Sequence, residues 1–360
     1  MNRTTFISSW KFASFFLLAL LSCIAGCKRT HDEPAQTREL TVCSYGGSFQ
    51  EAQRKAFYEP FEKDTGIRVH EAQWSGEYAK LKAMVDAGAP AWDVVNGAES
   101  STIIRGAREG ILAPIDYTGI DKAKFYPGAL TDYSVAFDFY STVLAYSSQT
   151  YPAGRPHPTS WADFWDTKRF PGGRSLRKDP RTTLEFALLA DGVPMEKLYP
   201  LDIDRAFRSL DKIAPAVTVW WSSGHQPAQL LADKEVVLVS AFNGRIWTAA
   251  TQDKIPLEVD WSQGALDTDS WVIPKGAKHY KEAMEFIRYT SRPDVQLRLT
   301  KYINYGPTTP EAYANLDAAT RAMLPTSPEN RPKQFVYNAQ WWADNEALVV
   351  ERWNKWLIER

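Results

Sequence analysis

Cysteine is scarce in this sequence, with three residues in 360. Cys23 lies inside an N-terminal apolar segment, and Cys27 follows that segment directly. Cys43 alone lies in the part of the chain that we expect to fold, so an intramolecular disulfide is excluded there. Because its neighbours are apolar, we interpret Cys43 as a small buried side chain.

Motifs of hydrolases and of metal centres are missing as well. The sequence has no Gly-x-Ser-x-Gly motif, no His-x-x-x-His motif and no pair of adjacent tyrosines, and its five histidines are scattered. Asp267 and Asp269 stand two apart on a predicted strand, which puts them on one side without implying catalysis. We therefore predict a protein that is not an enzyme and needs no cofactor or metal. An exported hydrolase and a metal-binding receptor are the disfavoured alternatives.

Neither sign of charge dominates the chain. The 42 Lys and Arg stand against 43 Asp and Glu, which gives a formal net charge of −1. Loss of Arg3 and Lys11 with an N-terminal signal lowers this charge by two, to −3. Without a basic cluster, nucleic acid is excluded as a partner. Aromatic residues are abundant instead, at 13% with 14 tryptophans, and such rings line pockets for organic cations as well as filling cores.

An apolar run at positions 12–21 follows basic residues near the N-terminus. It is too short to span a bilayer and is typical of the core of a secretory signal. Residues 24–27, Ile-Ala-Gly-Cys, resemble a bacterial lipobox, whose cysteine becomes the acylated N-terminus. We therefore predict a signal peptide at 1–26 and a lipid anchor at Cys27 with a polar tether to residue 37. This predicts a location in the periplasm or cell envelope; ordinary cleavage near Ala25, which would leave a soluble periplasmic protein, is the alternative.

The order of apolar segments and breaks predicts an α/β fold. Predicted strands lie at 39–45, 65–70, 93–95, 141–146, 172–176, 217–221, 236–240 and 271–274. Predicted helices lie at 48–60, 78–87, 100–109, 160–165, 182–190, 203–212, 226–233, 280–289 and 338–360, with Ser48 and Ser160 as candidate caps. This alternation is typical of mostly parallel sheets with helices on both faces, and the length suits two lobes. Because ligands bind at the carboxyl ends of such strands, we expect a site in the loops at 45–48, 222–224 and 243–245.

Five segments carry a more specific signal. They are Tyr-Gly-Gly at 45–47 with 61–69, then 159–165, 220–224 with 242–245, 269–277, and 292–296 with 305–308. Together and in this order they resemble the bacterial polyamine-binding proteins of ABC importers and the related receptors for ω-amino acids. The resemblance implies a two-lobed, type II-like periplasmic-binding-protein fold with crossed connections between the lobes. Lobe 1 then comprises residues 38–141 and 269–305, and lobe 2 comprises residues 142–268 and 306–360.

The same resemblance implies what the protein does. A hinge closes the two lobes on a small ligand, and the closed form docks on an ABC permease in the membrane. We expect a monomeric, extracytoplasmic solute-binding component of such an importer. A receptor that presents its ligand to a signalling partner is compatible with the same sequence.

Two charged residues are the first candidates for ligand contacts. Asp269 matches the family's acidic residue that holds an amino group through a charge-assisted bond, with a turn-capping role as the alternative. Arg245 is a departure, because the polyamine binders have no basic residue there. Its guanidinium would hold a carboxylate through two hydrogen bonds, and with Asp269 it suits a zwitterion such as a short ω-amino acid. The alternative is an internal ion pair of Arg245 with Asp267 or Asp269.

Four uncharged residues complete the candidate contacts. Tyr45 matches the aromatic wall of the family's first loop, and Trp342 lies near one of its polar contact residues. Ser222 and Ser223 precede a predicted helix and would donate hydrogen bonds to the ligand. Core packing is the alternative for Tyr45 and Trp342, and helix capping is the alternative for the two serines.

Two further positions depart from the polyamine binders. Thr182 stands where they have a second carboxylate, and Asp267 stands where they have a stacking aromatic ring. The loss of one acid and the gain of Arg245 argue against spermidine, which carries only positive charge, although Asp267 restores an acid near the site. The candidate residues therefore predict a small amine or ω-amino acid as the ligand, rather than a long polyamine.

Overall fold

A mixed β-sheet is the central feature of the computed structural model, which describes residues 38–97 and 99–359. The predicted signal peptide and the predicted anchor Cys27 lie outside these residues. Within them, ten strands pair in one sheet: β1 (Glu39–Ser44), β2 (Arg68–Gln73), β3 (Val94–Asn96), β4 (Leu130–Thr131), β5 (Ser134–Ser147), β6 (Arg174–Arg177), β7 (Val217–Trp221), β8 (Leu238–Phe242), β9 (Leu257–Val272) and β10 (Phe335–Val336). The strand order is β2-β1-β3-β9-β5-β8-β6-β7, with β10 beside β9 and β4 beside β5.

Helices fill the connections between these strands. In the described part of the chain they are α1 (Gly47–Gln53), α2 (Glu59–Thr65), α3 (Tyr78–Asp86), α4 (Ser100–Arg108), α5 (Trp161–Trp165), α6 (Pro180–Ala190), α7 (Ile203–Ile213), α8 (Gln226–Ala232), α9 (Asn243–Thr251), α10 (Tyr280–Thr290), α11 (Pro293–Leu299), α12 (Pro310–Ala314), α13 (Ala318–Ala322) and α14 (Ala339–Ile358). A π-helical stretch, Arg54–Tyr58, joins α1 to α2. This composition confirms the predicted α/β class. Within the same residues, no helix is both long enough and apolar enough to cross a membrane.

Strand direction differs from the prediction in the middle of the sheet. The outer strands pair in parallel, β1 with β2 and β3 at one end and β6 with β7 and β8 at the other. The two longest strands, β5 and β9, instead pair antiparallel along most of their length. The sequence predicted only the last part of each, because polar residues interrupt the apolar pattern in the remainder. β5 and β9 therefore join the two parallel ends of the sheet.

Buried apolar residues form clusters on both faces of each end of the sheet. At the β1–β3 end, Val42 and Val94 belong to one cluster, and Cys43 and Val95 belong to another. At the β6–β8 end, Leu144 and Leu238 pack in one cluster, and Ala145 and Val239 pack in the other. Successive residues of a strand point to opposite faces, so helices cover both sides of these strands. Cys43 is fully buried, as predicted.

The two predicted helix caps have different outcomes. Ser160 caps α5, because its hydroxyl accepts a hydrogen bond from the Asp163 N–H at 3.1 Å. Ser48 does not cap the first helix, because α1 begins one residue earlier. Gly46 and Gly47 have positive φ angles of 64° and 58°, which glycine adopts without strain, and they turn the chain sharply into α1. The Ser48 hydroxyl is therefore left for another partner.

Candidate ligand-binding cleft

A cavity of about 190 Å³ lies at the carboxyl ends of the parallel strands. Residues that end or follow β1, β2 and β3 form one side of it, and residues that end or follow β6, β7 and β8 form the other. It is lined by Tyr45, Phe49, Trp74, Ser75, Gly76, Glu99, Tyr140, Arg177, Lys178, Asp179, Arg181, Trp221, Ser222, Ser223, Gly224, Phe242, Arg245, Asp269 and Tyr305. All three loops in which we expected the site contribute to this lining, as the rule for ligand sites in such sheets predicts.

Arg245 lies in the first turn of α9 and is 9% exposed. Its Nη1 donates to the Ser48 hydroxyl at 3.1 Å, and its Nη2 donates to the Gly46 carbonyl at 3.2 Å. The guanidinium also lies 5.7 Å from the centre of the Phe49 ring. Burial lowers its pKa, and Tyr305 and Asp269 partly oppose that effect. Two neutral oxygens thus hold a buried positive charge at the cavity wall.

The expected alternative of an internal ion pair has no support in the contacts of Arg245. Among residues 38–97 and 99–359, no carboxylate oxygen lies within 4.0 Å of its guanidinium nitrogens. Asp269 affects the pKa of Arg245 only from a longer distance. The guanidinium is therefore available to an added carboxylate.

Asp269 lies on β9, lines the cavity and is 8% exposed. Asp269 lies within this strand, three residues before its end, and not in the turn that we considered as the alternative. Burial raises its pKa to about 7, and the neighbouring charge of Asp267 contributes to the rise. A cation placed beside this carboxylate would stabilise its ionised form.

Asp267 lies two residues before Asp269 but does not line the cavity. Its carboxylate accepts hydrogen bonds from the Ser100 hydroxyl at 2.6 Å and from the Ser100 N–H at 3.4 Å, where α4 begins. Tyr140 also donates to it, at 3.4 Å. Burial raises its pKa to about 6. Asp267 thus binds the N-terminus of a helix, where a carboxylate compensates the unpaired N–H groups.

Tyr45, Ser222 and Ser223 lie at the cavity wall. The Tyr45 ring is half-buried and packs 5.8 Å from that of Trp74. The N–H groups of both serines already donate to the side chain of Gln226, at 2.7 and 3.0 Å. The backbone of this loop is therefore capped, and the Ser223 hydroxyl also contacts His225 Nδ1 at 2.7 Å.

Thr182 and Trp342 are not brought to the cavity wall. Trp342 is fully buried in the hydrophobic cluster of the β6–β8 end, and its indole N–H donates to Glu185 at 2.6 Å. Thr182 is 6% exposed and has a positive φ of 64°, and its hydroxyl has no partner among the described residues. Arg181, the residue before Thr182, lines the cavity instead.

Sequence reasoning missed several residues of the wall. Glu99 forms ion pairs with both Arg177 and Arg181 at the cavity. The rings of Trp221 and Phe242 lie 5.8 and 5.5 Å from the guanidinium of Arg177. The signal was present, because Glu99 follows the predicted strand at 93–95 and Arg177 follows the one at 172–176. The rule for strand ends, applied to those two strands, would have marked both. In the described part of the chain, no three His, Cys, Asp or Glu side chains are grouped as metal ligands.

The chain matches the family described as bacterial extracellular solute-binding protein over residues 56–326. It is similar to a gamma-aminobutyric acid-binding protein of Pseudomonas aeruginosa, with 39% identity over 328 residues that cover 89% of this chain and 92% of that protein. It is also similar to the spermidine/putrescine-binding periplasmic protein of Escherichia coli, with 28% identity over 260 residues that cover 69% and 72%. Both relatives are named as binding proteins.

Solved structures agree with these relatives. One, an ABC transporter substrate-binding protein from Bradyrhizobium japonicum, has 39% identity and a TM-score of 0.83, with 89% of this chain and 99% of that chain covered. The similarity predicted from five sequence segments and the predicted periplasmic-binding-protein fold are thereby confirmed. The chain belongs to the family of bacterial extracellular solute-binding proteins.

Proposed function

We propose that this protein is the receptor of an ABC importer and captures a short ω-amino acid, such as gamma-aminobutyric acid, without changing it chemically. A relative with 39% identity is named for that ligand, and a similar solved structure is named as an ABC transporter substrate-binding protein. In this proposal Arg245 binds the carboxylate of the ligand and Asp269 binds its ammonium group.

The buried guanidinium of Arg245 is the observation that carries the proposal. A buried cation that has only neutral partners loses hydration without gaining an opposite charge. A ligand carboxylate would compensate this charge and accept two parallel hydrogen bonds from the planar guanidinium. A polyamine would instead bring further positive charge beside Arg245, which disfavours its binding.

The opposite end of the ligand suits Asp269. An ammonium group beside this carboxylate would form a charge-assisted hydrogen bond in a site with little water. The aromatic rings of Tyr45, Phe242 and Tyr305 line the same cavity, and their faces suit a short alkyl chain. The described wall therefore offers one partner for each part of an ω-amino acid.

A closing motion of two lobes is part of this proposal. The predicted lobe boundaries, 141/142 and 268/269, fall on β5 and β9. The register of these strands shifts between Thr142 and Leu144, and strands bend at such irregularities. The hydrophobic clusters of the two sheet ends lie on either side of that position. The lipid anchor at Cys27, the permease partner and the monomeric state stay predictions from the sequence.

Isothermal titration calorimetry of the purified protein tests the ligand assignment. The panel is 4-aminobutyrate, 5-aminopentanoate, putrescine and spermidine, measured with the wild type and with Arg245→Met. We expect the wild type to bind the ω-amino acids more tightly than the diamine and triamine. Arg245→Met should weaken the ω-amino acids by about 100-fold, because a buried charge pair is lost.

The matched control is Arg208→Met, since Arg208 is an exposed residue of α7 that does not line the cavity. This variant should bind like the wild type. Tighter binding of putrescine or spermidine than of ω-amino acids, together with full affinity in Arg245→Met, would contradict the proposal and give Arg245 a structural role.

A further inference from the structure

The carboxylate of Glu99 lies between two arginines of the cleft. One of its oxygens is 2.6 Å from Arg177 Nη2, and the other is 3.0 Å from Arg181 Nη1. The side chain of Glu99 is 11% exposed, and those of the arginines are 17% and 16% exposed, so water screens these contacts only weakly. Burial would raise the pKa of Glu99, but Arg181 and Arg177 outweigh it and hold that pKa below its ordinary value.

These ion pairs cross the cavity from one end of the sheet to the other. Glu99 lies in the connection between β3 and α4, whereas Arg177 ends β6 and Arg181 lies in α6. In the sheet, β9, β5 and β8 separate β3 from β6. Glu99 and the two arginines thus belong to opposite sides of the cavity. Without Glu99, Arg177 and Arg181 would face the ligand directly.

The positive charges around Arg177 and Arg181 are balanced by carboxylates. Asp179 supplies a second carboxylate, at 2.7 Å from Arg181 Nη2. Glu346 of α14 adds a longer contact of 3.4 Å to Arg181 from outside the cavity lining. Lys178 also lines the cavity, but it is exposed, and water solvates its charge. Arg245 differs from all of these cations in being buried without a carboxylate within 4.0 Å among the described residues.

Glu99 acts on the end of the cleft at which we place the ligand's ammonium group. Its negative charge is among the causes that raise the pKa of Asp269, whereas it is not among those acting on Arg245. A ligand with a second carboxylate on its amine-bearing carbon would bring that group toward Glu99 and meet repulsion. Without Glu99, the same carboxylate would meet two guanidinium groups, which bind carboxylates through paired hydrogen bonds.

We propose that Glu99 is a specificity-determining residue, which occupies Arg177 and Arg181 and so makes the cleft select ω-amino acids over α-amino acids of the same chain length. This inference rests on the proposed function for the orientation of the ligand. Rejection by an unpaired or repelled charge is a general means of discriminating between similar ligands. The carboxylate of Glu99 occupies the position at which the second carboxylate of an α-amino acid would bind.

The test compares 4-aminobutyrate with glutamate, which is the same molecule with one more carboxylate on the amine-bearing carbon. Calorimetry gives both dissociation constants for the wild type, Glu99→Ala and Glu346→Ala. We expect Glu99→Ala to bind 4-aminobutyrate roughly tenfold more weakly and glutamate roughly tenfold more tightly, since the wall gains a positive charge. Glu346→Ala removes a carboxylate from Arg181 outside the cavity and should leave the ratio of the two constants unchanged. An unchanged ratio in folded Glu99→Ala, or an equal change in Glu346→Ala, would overturn the inference.

A second measurement does not depend on the identity of the ligand. Formate should raise the melting temperature of Glu99→Ala by binding between Arg177 and Arg181, with chloride at equal ionic strength as the reference. The wild type, whose Arg177 and Arg181 are occupied by Glu99, should show only the smaller shift that formate binding at Arg245 gives. If the wild type binds no ω-amino acid but formate stabilises Glu99→Ala more than the wild type, the proposed function fails while the role of Glu99 in blocking a carboxylate site stands. If Glu99→Ala does not fold, Glu99→Gln keeps the shape of the side chain, and unaltered 4-aminobutyrate and glutamate affinities in that variant would refute the inference.

Discussion

Asp138 and Asp269 stand directly opposite each other on the antiparallel strands β5 and β9. Such neighbours have their side chains on one face, and two negative charges in that position repel each other. Asp138 is fully buried, and no N–H or O–H group of the described residues donates a hydrogen bond to either of its carboxyl oxygens. Burial raises its pKa well above the ordinary value, and the charge of Asp269 adds to the rise. Burial and the charge of Asp269 therefore both favour the protonated form of Asp138, which stands beside the carboxylate that we propose as the partner of the ligand's ammonium group.

Ligand affinity should rise with pH. The pKa of Asp269 is raised to about 7, so in the empty cleft this group is largely protonated at pH 5 and largely ionised at pH 8. An ammonium group binds the ionised form, and binding at low pH must release a proton. The dissociation constant should therefore increase by roughly tenfold for each pH unit below 6. Calorimetry between pH 5 and 8, in two buffers of different ionisation enthalpy, measures both the affinity and the proton release.

The same titration of Asp269→Asn is the control for this pH dependence. The variant lacks the titrating group, so its affinity should be weak and nearly constant from pH 5 to 8. A wild-type affinity that does not change with pH would exclude Asp269 as the partner of the ammonium group.

Asp138→Asn should leave ligand binding almost unchanged. A protonated Asp138 donates a hydrogen bond toward Asp269 and lowers its pKa, and the amide of asparagine is able to donate in the same way. Asp138→Leu removes the donor at similar volume and should raise the pKa of Asp269, which shifts the affinity profile to higher pH. Calorimetric pH profiles of the two variants test this, with folding checked by circular dichroism. Loss of binding in Asp138→Asn would mean that Asp138 is ionised in the folded protein.

Gly47→Ala should weaken ligand binding through Arg245. Gly47 has a φ of 58°, and a Cβ atom there would lie 3.0 Å from Arg245 Nη1. The substitution would displace the guanidinium, and we expect roughly a tenfold loss of affinity for the ω-amino acid, since such a charged contact depends on its geometry. Urea unfolding and calorimetry on the same samples separate the effect on stability from the effect on binding.

Gly110→Ala is the matched control for this substitution. Gly110 has a similar φ of 67°, and a Cβ atom there would meet no atom within 4 Å. Both variants should lose about 1 kcal/mol of stability from backbone strain, but Gly110→Ala should keep its ligand affinity. Equal affinities in the two variants would show that the contact of Gly47 with Arg245 has no bearing on binding.

Single helices and strands could be predicted because the residues that mark them are close together in the sequence. The helix expected at 78–87 is α3, Tyr78–Asp86, and the strand expected at 217–221 is β7 with the same bounds. Apolar spacing and stop residues suffice for such elements. The lengths of β5 and β9 could not be predicted in this way, because their buried polar residues, such as Asp138, break the apolar pattern.

Candidate site residues could be predicted from the sequence where they follow the end of a strand. They were harder to predict where their position depends on contacts between residues far apart in the chain. Tyr45, Arg245 and Asp269 were found from loops and from family positions, and all three line the cavity. Family position alone misplaced Trp342, whose indole is bound by buried Glu185. Glu99 pairs with Arg177, and the two residues are far apart in the chain. The spacing of apolar residues indicates which face of an element is buried, but it does not indicate which residues of two distant elements meet.

The stability of the ligand-free protein should fall as pH rises from 5 to 8. Burial raises the pKa of Asp267 to about 6 and that of Glu185 and Asp269 to about 7, so the folded state binds more protons than the unfolded state between about pH 4 and 7. Stability contributed by these groups is complete below their unfolded pKa and is lost as pH rises through the folded one. The pKa of Asp179 is lowered to about 2, so its contribution is lost only in more acidic solution.

Melting temperatures measured at pH 5, 6, 7 and 8 test this expectation. We expect a decrease of roughly 5 °C across the range for the ligand-free wild type, and a smaller decrease for Glu185→Gln, whose side chain does not titrate. A saturating ω-amino acid should stabilise the protein more at pH 8 than at pH 5, because the ammonium group favours the ionised form of Asp269. A melting temperature that rises from pH 5 to 8 without ligand would contradict the raised pKa values, since ionisation of these buried carboxyls must then favour the folded state.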